Sequence, residues 1–513
     1  MSKNTKQDPN PQGRRHFLKS TGIMMGALGG MALSRPAAAV APPAPVPQKW
    51  DTTVDVLIVG SGFAGLAAAI EARNAKANVL IIEKMPLFGG NSILNGGDLS
   101  AAGSSMQQTL GIKDSPELMY QDMMKAGNWL NYPELARTVA DHSVEALEWA
   151  KSLGAEFDRV NYHGGHSVKR AHQLKQRSGS GLVVKQYQKA KELGVVIEQR
   201  TKLERLIIDN EGRVLGAEVR RGYKFPDDAS GSVAFIRATK GVVLASGGFS
   251  QGVALRQMYD PRLTDAFTST NQPGATGEAL MAASMIGALA TQMDWIQLGP
   301  WTSPDEQGFG YIPQFVERVV GYGLMVDPAN GKRFFKETGN RKERADAIIQ
   351  LGHPALIIAD KTNTLKMVDE GQMNGALKNG SLKTYNTLEE VAQAYGMPVA
   401  PFVEQVKRWN GYVEQHLEND PDLGCMIFKD AAPNITPPYY VARLWPRVHH
   451  TMGGLAINKD AQVIGFDLKP IVGLYAAGEA AGGVHGAVRL GSVAMTDCIV
   501  FGRIAGKNVV KAS

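Results

Sequence analysis

The pattern of apolar and polar positions near the start of the chain predicts a βαβ unit. Asp55-Val56-Leu57-Ile58-Val59 is an apolar run rich in β-branched residues, which indicates a strand buried on both faces in a parallel sheet. The run leads directly into Gly60-Ser61-Gly62-Phe63-Ala64-Gly65, an alanine-rich helical pattern over residues 66–75, and a second strand over residues 78–82. This order predicts a Rossmann-like α/β fold that binds a dinucleotide.

The residue types in this unit fit dinucleotide chemistry. Glycines in the turn allow the backbone to approach a pyrophosphate at the helix N-terminus, where the N–H groups and the helix dipole favour negative charge. An acid about 20 residues further on can bind a ribose hydroxyl. The predicted cofactor-binding residues of the unit are Gly60, Gly62, Ala64, Gly65, Glu83 and Lys84.

Elements further along the chain indicate that the dinucleotide is FAD rather than NAD. Gly89-Gly90-Asn91-Ser92 and Asn95-Gly96-Gly97-Asp98 are turns suited to an isoalloxazine and its ribityl chain, although each could also be an ordinary surface turn. Two later strand patterns end in Gly247-Gly248 and Gly478-Glu479, the second with an acid for the ribityl hydroxyls. The additional predicted FAD-binding residues are Gly90, Asn91, Ser92, Gly96, Gly97, Asp98, Gly247, Gly248, Glu479, Ser492 and Val493.

Composition and charge exclude several classes of function. The chain has 513 residues, of which 44% are hydrophobic and 20% charged, and this balance is typical of a globular protein rather than a disordered or collagen-like one. Six basic residues and one acid lie within residues 1–39, so the remainder carries a net charge of +1 out of the total of +6. We therefore expect no nucleic acid partner.

The first 39 residues have the features of an export signal in the expected order. Arg14-Arg15 forms a twin-arginine pattern, residues 21–33 are weakly apolar but too short to span a bilayer, and Ala37-Ala38-Ala39 resembles a cleavage site. We predict a twin-arginine signal peptide over residues 1–39, a periplasmic location and no transmembrane segment in the mature chain. A basic tail beside an apolar helix is the alternative.

Redox chemistry in this chain must depend on an organic cofactor. Its two cysteines, Cys425 and Cys498, are far apart and could either pair or remain free thiols. No C-x-x-C-H haem motif or C-x-x-C metal-ligand spacing is present in the sequence, and we predict no metal.

From about residue 51 to the C-terminus, the chain resembles the flavoprotein domain of soluble periplasmic fumarate reductases. The resemblance rests on the front glycine-rich unit, Asn271-Gln272-Pro273-Gly274-Ala275-Thr276-Gly277, Asn340-Arg341, Val448-His449-His450-Thr451-Met452-Gly453-Gly454, and residues 478–491. It implies an FAD domain split over residues 50–294 and 450–513, and a mobile α+β capping domain inserted over residues 295–449. It also implies noncovalent FAD, because the front turn lacks the histidine to which membrane-bound relatives attach the flavin.

The resemblance further implies the reaction and its residues. In this family a hydride passes from flavin N5 to one carbon of an activated C=C bond, and an arginine protonates the other carbon. The proton donor matches Arg341, the relay carboxylate matches Glu317, and the carboxylate-binding pair matches His450 and Arg489. Outside this context, Arg341 would be predicted to be a solvated helix residue and His450 a structural histidine.

Three positions depart from the pattern of fumarate reductases. Gly299 stands where they carry a histidine, Val316 where they carry a threonine, and Val320 where they carry the outer arginine of the proton relay. In the family, that histidine and threonine hold the second carboxylate of the substrate. A carboxylate buried without a partner costs several kcal/mol, so a pocket half lined by Gly299, Trp301 and Val316 favours an apolar group there. Arg318 or Arg344 could replace the missing relay arginine.

These departures predict a reductase of an unsaturated monocarboxylic acid such as acrylate, methacrylate, crotonate or cinnamate. Urocanate is an alternative, with Tyr322 as a weak candidate partner for its imidazole, and so is fumarate, if Arg318 binds the second carboxylate. A steroid dehydrogenase-like enzyme or a flavin electron carrier would not need the arginine and histidine set.

Electrons must reach the flavin from outside the chain, because the sequence carries neither a haem nor an iron–sulfur motif. Only about ten residues separate the predicted signal from the first strand, so we expect no fused haem domain. The implied partner is a separate periplasmic cytochrome c, and the implied role is anaerobic respiration.

Overall fold

The computed structural model describes residues 44–511, so the predicted export signal lies outside the described residues. The strands within this range are β1 Thr52–Val59, β2 Val79–Glu83, β3 Asp98–Ser100, β4 Phe157–Asn161, β5 Ala171–Leu174, β6 Val196–Gln199, β7 Thr201–Ile208, β8 Val214–Arg221, β9 Ser232–Leu244, β10 Ala290–Thr291, β11 Ile296–Gly299, β12 Leu324–Asp327, β13 Lys332–Arg333, β14 Ala355–Ala359, β15 Leu382–Tyr385, β16 Tyr439–Leu444, β17 Arg447–Thr451, β18 Gly454–Leu455, β19 Gln462–Ile464 and β20 Pro470–Ala476.

The helices alternate with these strands over much of the same range. They are α1 Phe63–Asn74, α2 Ser105–Thr109, α3 Pro116–Ala126, α4 Pro133–Asp141, α5 Ser143–Ser152, α6 Ser180–Glu192, α7 Val253–Tyr259, α8 Glu278–Ser284, α9 Ile312–Val319, α10 Arg341–Leu351, α11 Lys361–Met367, α12 Glu370–Asn379, α13 Leu388–Ala394, α14 Val399–Glu414 and α15 Val493–Val509. Among the described helices, none is both long and apolar enough to cross a membrane.

The main sheet confirms the predicted Rossmann-like α/β fold. Strands β20, β9, β1, β2 and β6 lie side by side and parallel, and β19 adds an antiparallel edge. Strand β1 is buried along its second half and pairs with β2 on one side and β9 on the other. A strand with neighbours on both sides and helices on its faces needs apolar residues at successive positions, which is the pattern seen in the sequence.

Small residues bring α15 against α1 beside this sheet. A Cβ atom added at Gly502 would lie 2.5 Å from the carbonyl oxygen of Ala64, and one added at Gly506 would lie 2.3 Å from that of Ala68. Because neither glycine has a side chain, the two helix backbones approach closely. The C-terminal helix is thereby fixed next to the helix that follows the glycine-rich turn.

Residues between the two parts of the main sheet form a separate antiparallel sheet with its own cores. Its strand order is β13-β12-β14-β16-β15. Two apolar clusters pack on it, centred on Trp301 and Phe315 in one case and on Phe402 and Trp409 in the other. The main-sheet cluster, in contrast, draws its members from residues 54–293 and 455–509.

A short antiparallel pair, β11 with β17, runs beside the cavity described below. Its register places Gln297 opposite His450 and Gly299 opposite Arg447. The pairing of β11 with β17 brings two segments that the sequence analysis singled out into direct contact. The two segments are about 150 residues apart in the chain.

Candidate active site

A cavity of about 250 Å³ lies at the carboxyl end of β1, where ligands bind in doubly wound α/β sheets. We call it the active-site cavity. The predicted cofactor residues that line it are Gly60, Gly62, Ala64, Glu83, Lys84, Gly90, Asn91, Ser92, Gly96, Asp98, Gly247, Glu479 and Ser492. The other four predicted cofactor residues, Gly65, Gly97, Gly248 and Val493, are not among the residues that line it.

The first glycine-rich turn is closely packed against the strand next to it. Gly60 has φ of 104°, and a Cβ atom there would lie 2.4 Å from the carbonyl oxygen of Ala245. The Glu83 carboxylate, at the end of β2, accepts hydrogen bonds from the Ser61 hydroxyl at 2.6 Å and from the Ser61 N–H at 3.2 Å. The turn and the acid are thus held together at the same edge, as binding of a ribose and pyrophosphate requires.

The later turns complete the cradle. The Ser92 hydroxyl accepts a hydrogen bond from the Phe63 N–H at 2.9 Å, and the Asn91 side chain accepts one from the Gln272 N–H at 2.9 Å. Lys84 is paired with Glu278 at 2.8 Å. Segments distant in sequence therefore enclose one space with backbone and amide groups, and this lining fits a flavin dinucleotide.

Arg489 is the most informative charged group in the cavity. Its side chain is only 4% exposed and donates to the Leu490 carbonyl and, at 3.0 Å, to Gln297 Oε1. Its Nε has no hydrogen-bond partner, and no described carboxylate lies within ion-pair distance of its guanidinium. Burial, together with the nearby Arg341, lowers the pKa of Arg489 to about 9. A buried cation without an anion is costly, so this site favours an incoming carboxylate.

His450 provides a second open polar atom in the same region. It is 6% exposed, its Nδ1 lies 3.5 Å from Glu479, and its Nε2 has no hydrogen-bond partner. Burial and then Arg489 hold the pKa of His450 well below its usual range, so the ring is neutral. The neutral ring can donate one hydrogen bond to a carboxylate beside Arg489.

A group of aromatic rings lies in the same lining. The Trp301 ring is 4.6 Å from the His449 ring and 5.7 Å from the Phe309 ring, and all three residues line the cavity. A Cβ atom added at Gly299 would lie 2.8 Å from two carbons of the Trp301 ring. The indole therefore occupies the space that a side chain at position 299 would need.

Arg341 lines the cavity at the start of α10. The Asn340 side chain caps this helix by accepting from the Glu343 N–H at 3.0 Å, which fixes Arg341 as the first helical residue. The Arg341 guanidinium lies 5.4 Å from the centre of the Trp301 ring and 3.7 Å from Glu317 Oε2.

Glu317 connects two arginines. Its Oε2 faces Arg341, and its Oε1 accepts from Arg344 Nη2 at 3.2 Å. Burial alone would raise the pKa of Glu317, but the charges of Arg341 and Arg344 hold this pKa at about 2. Arg344 is therefore the second arginine that pairs with Glu317. Arg318 lies 3.9 Å from Asp98 instead.

His163 is a cavity residue that the sequence analysis missed. Its Nε2 lies 3.6 Å from Asp98 Oδ1 and its Nδ1 lies 3.8 Å from Glu317 Oε2, yet neither nitrogen has a hydrogen-bond partner. Phe309 was missed as well. Nothing in the local sequence distinguished either residue, because each enters the cavity from a segment without a strong pattern.

Three predicted substrate-binding residues do not line the active-site cavity. Beside Gly299, the Trp301 ring occupies the space that a side chain would need. Val316 is fully buried in the same apolar cluster as Trp301 and Phe315. The Tyr322 hydroxyl donates to Asp430 at 3.0 Å, and its ring stacks on Phe428 at a second cavity.

The two cysteines are both free thiols in the structure. Cys425 is buried in the antiparallel-sheet region, and Cys498 lines the active-site cavity on α15. Burial raises the pKa of both thiols, which keeps them protonated and unreactive.

Comparisons with known proteins agree with a flavin dinucleotide site in this cavity. The FAD binding domain family matches residues 55–495. The acrylate reductase flavoprotein subunit of Shewanella woodyi is 39% identical over 509 residues, which cover 98% of this chain and 99% of that protein. A cytochrome-containing fumarate reductase of Shewanella frigidimarina is 36% identical over 469 residues, which cover 90% of this chain and 74% of that protein.

The chain belongs to the fumarate reductase flavoprotein family. As a member, it binds FAD and is an FAD-dependent oxidoreductase of the type that acts on carbon–carbon double bonds. The open conformation of a flavocytochrome c3 fumarate reductase has the same fold, with a TM-score of 0.73 and 35% identity, covering 90% of this chain and 79% of that chain. Urocanate reductase of Eggerthella lenta is 34% identical, covering 90% of this chain and 75% of that protein, so the family includes enzymes named for several different acids.

Proposed function

We propose that this flavoprotein reduces the C=C bond of a small unsaturated monocarboxylic acid, of the acrylate, methacrylate, crotonate or cinnamate type. The observation that carries the proposal is the unpaired, buried guanidinium of Arg489 in a cavity that is also lined by Trp301 and Phe309. Arg489 favours an anion, whereas the aromatic rings offer an apolar surface. The similarity to an acrylate reductase flavoprotein subunit supports this assignment.

The chain's own residues divide the work as follows. Arg489 and His450 bind the carboxylate and polarise the conjugated double bond, which stabilises the negative charge that grows during reduction. FAD, when bound, supplies an electron pair and one hydrogen to one alkene carbon. Arg341 gives a proton to the other carbon, and Glu317 returns a proton to Arg341.

The position of Trp301 supports a preference for one carboxylate. We infer that fumarate would place a second carboxylate near the indole and Phe309, where the nearby cation is Arg341, and Arg341 is needed as the acid. Arg318, the alternative second cation, lies near Asp98 at 3.9 Å. We therefore infer that fumarate is a poor substrate, because its second charge would be desolvated without a partner.

The remaining parts of the proposal concern cofactor attachment, location and the electron donor. We infer that the FAD is held noncovalently, that residues 295–449 form a capping domain that moves over the cavity, and that the twin-arginine segment directs export to the periplasm. A separate cytochrome c would then deliver electrons for anaerobic respiration. These statements rest on the sequence motifs and on the resemblance to the family.

An anaerobic assay of reduced viologen oxidation tests the substrate. The FAD-loaded mature protein is offered acrylate, methacrylate, crotonate, cinnamate, urocanate and fumarate separately. We expect one monocarboxylate to exceed fumarate in kcat/KM by at least about 100-fold, because burying an unpaired carboxylate costs several kcal/mol. Arg262→Gln, which alters an arginine that is 79% exposed, is the control and should leave this order unchanged. A fumarate rate equal to or above every monocarboxylate would refute the proposal.

A further inference from the structure

A second cavity of about 290 Å³ adjoins the proton relay. We call it the relay cavity. Its lining includes Val320, Met367 and Arg344, and it shares Glu317 and Arg318 with the active-site cavity. Two separate spaces therefore meet at one buried carboxylate.

Glu317 joins the two cavities through its two oxygens. Oε2 faces Arg341, which lines the active-site cavity but not the relay cavity, at 3.7 Å. Oε1 accepts from Arg344, which lines the relay cavity but not the active-site cavity, at 3.2 Å. The order of groups between the two spaces is thus Arg344, Glu317 and Arg341.

Arg344 has an open donor. It is 3% exposed, its Nη1 donates to the Glu337 carbonyl at 2.9 Å, and its Nε has no hydrogen-bond partner. Burial lowers the pKa of Arg344, against the opposing charge of Glu317, which makes a proton easier to remove. A buried donor at a polar cavity of this volume is a site for ordered water.

The relay cavity also reaches the surface. Its lining includes two exposed residues, Lys169 and Asp430. The side chain of Asp430 is 56% exposed. Val320, which stands where the family's relay has an arginine, lines the same space. Valine leaves room there that a long side chain would fill.

We propose that the relay cavity is a water-filled proton entry chamber that replaces the missing relay arginine. After Arg341 has protonated the substrate carbon, it regains a proton through Glu317 from Arg344, and Arg344 takes one from a hydronium ion in the chamber. One N–H bond forms for each O–H bond broken, and one proton is consumed per turnover. The inference rests on the proposed function, since it requires that Arg341 be the acid.

The test is to fill the chamber without touching the relay residues. Val320→Phe adds bulk to the lining, whereas Val320→Ala leaves the space open and is the matched control. We expect Val320→Phe to lower kcat about tenfold and to raise the solvent deuterium isotope effect, because proton delivery becomes limiting. Anaerobic flavin reduction by viologen and the binding of propionate, a saturated acid, should stay at wild-type values in both variants.

A second readout does not depend on turnover. Crystal structures of the FAD-loaded wild type and of Val320→Phe should show ordered water within hydrogen-bond distance of Arg344 Nε in the first and none in the second. A dry chamber in the wild type, or full turnover in a variant whose chamber is filled, would overturn the inference. If Val320→Phe fails to fold, Met367→Phe fills the same space from α11. If the wild type reduces no acid, the proposed function fails, and the water sites still decide whether a chamber exists.

Discussion

The two ends of the substrate region contrast sharply in polarity. At one end, Arg489 and His450 are buried with open polar atoms, and no described carboxylate lies within ion-pair distance of Arg489. At the other end, Trp301, Phe309 and His449 pack ring against ring. In the proposed function, this difference would orient an unsaturated acid with its carboxylate at the first end and its apolar tail at the second. Arg341 lies near Trp301 and Glu317, and the proposal places it at the double bond.

The largest effect should come from removing the group between the two ends. Arg341→Gln keeps a polar side chain but cannot donate the proton, so kcat should fall by about 1,000-fold or more with little change in KM. Anaerobic viologen oxidation measures it, with the flavin content checked by absorbance. If Arg341→Gln keeps a tenth of wild-type turnover, another group is the acid. Arg262→Gln controls for the loss of a positive charge.

A change at the anion end should weaken substrate binding and activation together. Arg489→Gln removes the charge, and kcat/KM for the acid should fall about 100- to 1,000-fold, with Arg489→Lys intermediate because it cannot bind a carboxylate bidentately. Acrylamide lacks the negative charge of acrylate, so comparing kcat/KM for the two compounds isolates the contribution of the carboxylate charge. The wild-type preference for the acid should disappear in Arg489→Gln, and a preference that persists would move the carboxylate site elsewhere.

A small change at the aromatic end should disturb the fit of the tail. Gly299→Ala places a Cβ atom 2.8 Å from the Trp301 ring, so the indole must shift, and kcat/KM should fall about tenfold. Gly371→Ala is the matched control, because a Cβ atom there meets nothing within 4 Å. An equal effect of both variants would mean that the position of the indole does not determine specificity.

The smallest effect should be a pH dependence set by the anion end. Burial and Arg341 lower the pKa of Arg489 to about 9, so its positive charge is complete well below that pH and is lost as the pH rises through it. We expect kcat/KM for a monocarboxylate to decline about fourfold between pH 8 and pH 9.5. The same profile for acrylamide should stay flat, and a parallel decline would assign the titration to a different group.

The cofactor end and the substrate end differ in how far the sequence predicts them. The first βαβ unit is local: strand, glycine-rich turn, helix and acid follow one another within residues 52–83, so apolar periodicity and turn chemistry were enough to predict it. The structure has β1, α1 and β2 at nearly the predicted positions. The family resemblance then supplied the site residues that no local pattern could distinguish.

The substrate end depends on contacts between distant segments. His163 reaches Glu317 and Asp98 from a loop, and no periodicity marked it. Tyr322, predicted to face the substrate, instead donates to Asp430 at the relay cavity. Side-chain direction in such segments is decided by what packs against them.

The sequence by itself determined the α/β fold, the dinucleotide site and the loss of a family histidine at Gly299, because these depend on local spacing and residue type. Only the tertiary structure decided what fills the space beside Gly299. The Trp301 ring lies there because glycine has no side chain that would occupy the space. The pairing of β11 with β17 places Gln297 opposite His450, and Gln297 accepts a hydrogen bond from Arg489. The direction of the Trp301 side chain depends on the core packed around it, and the contacts of Gln297 with His450 and Arg489 join residues about 150 or more positions apart, so no local pattern in the chain records either.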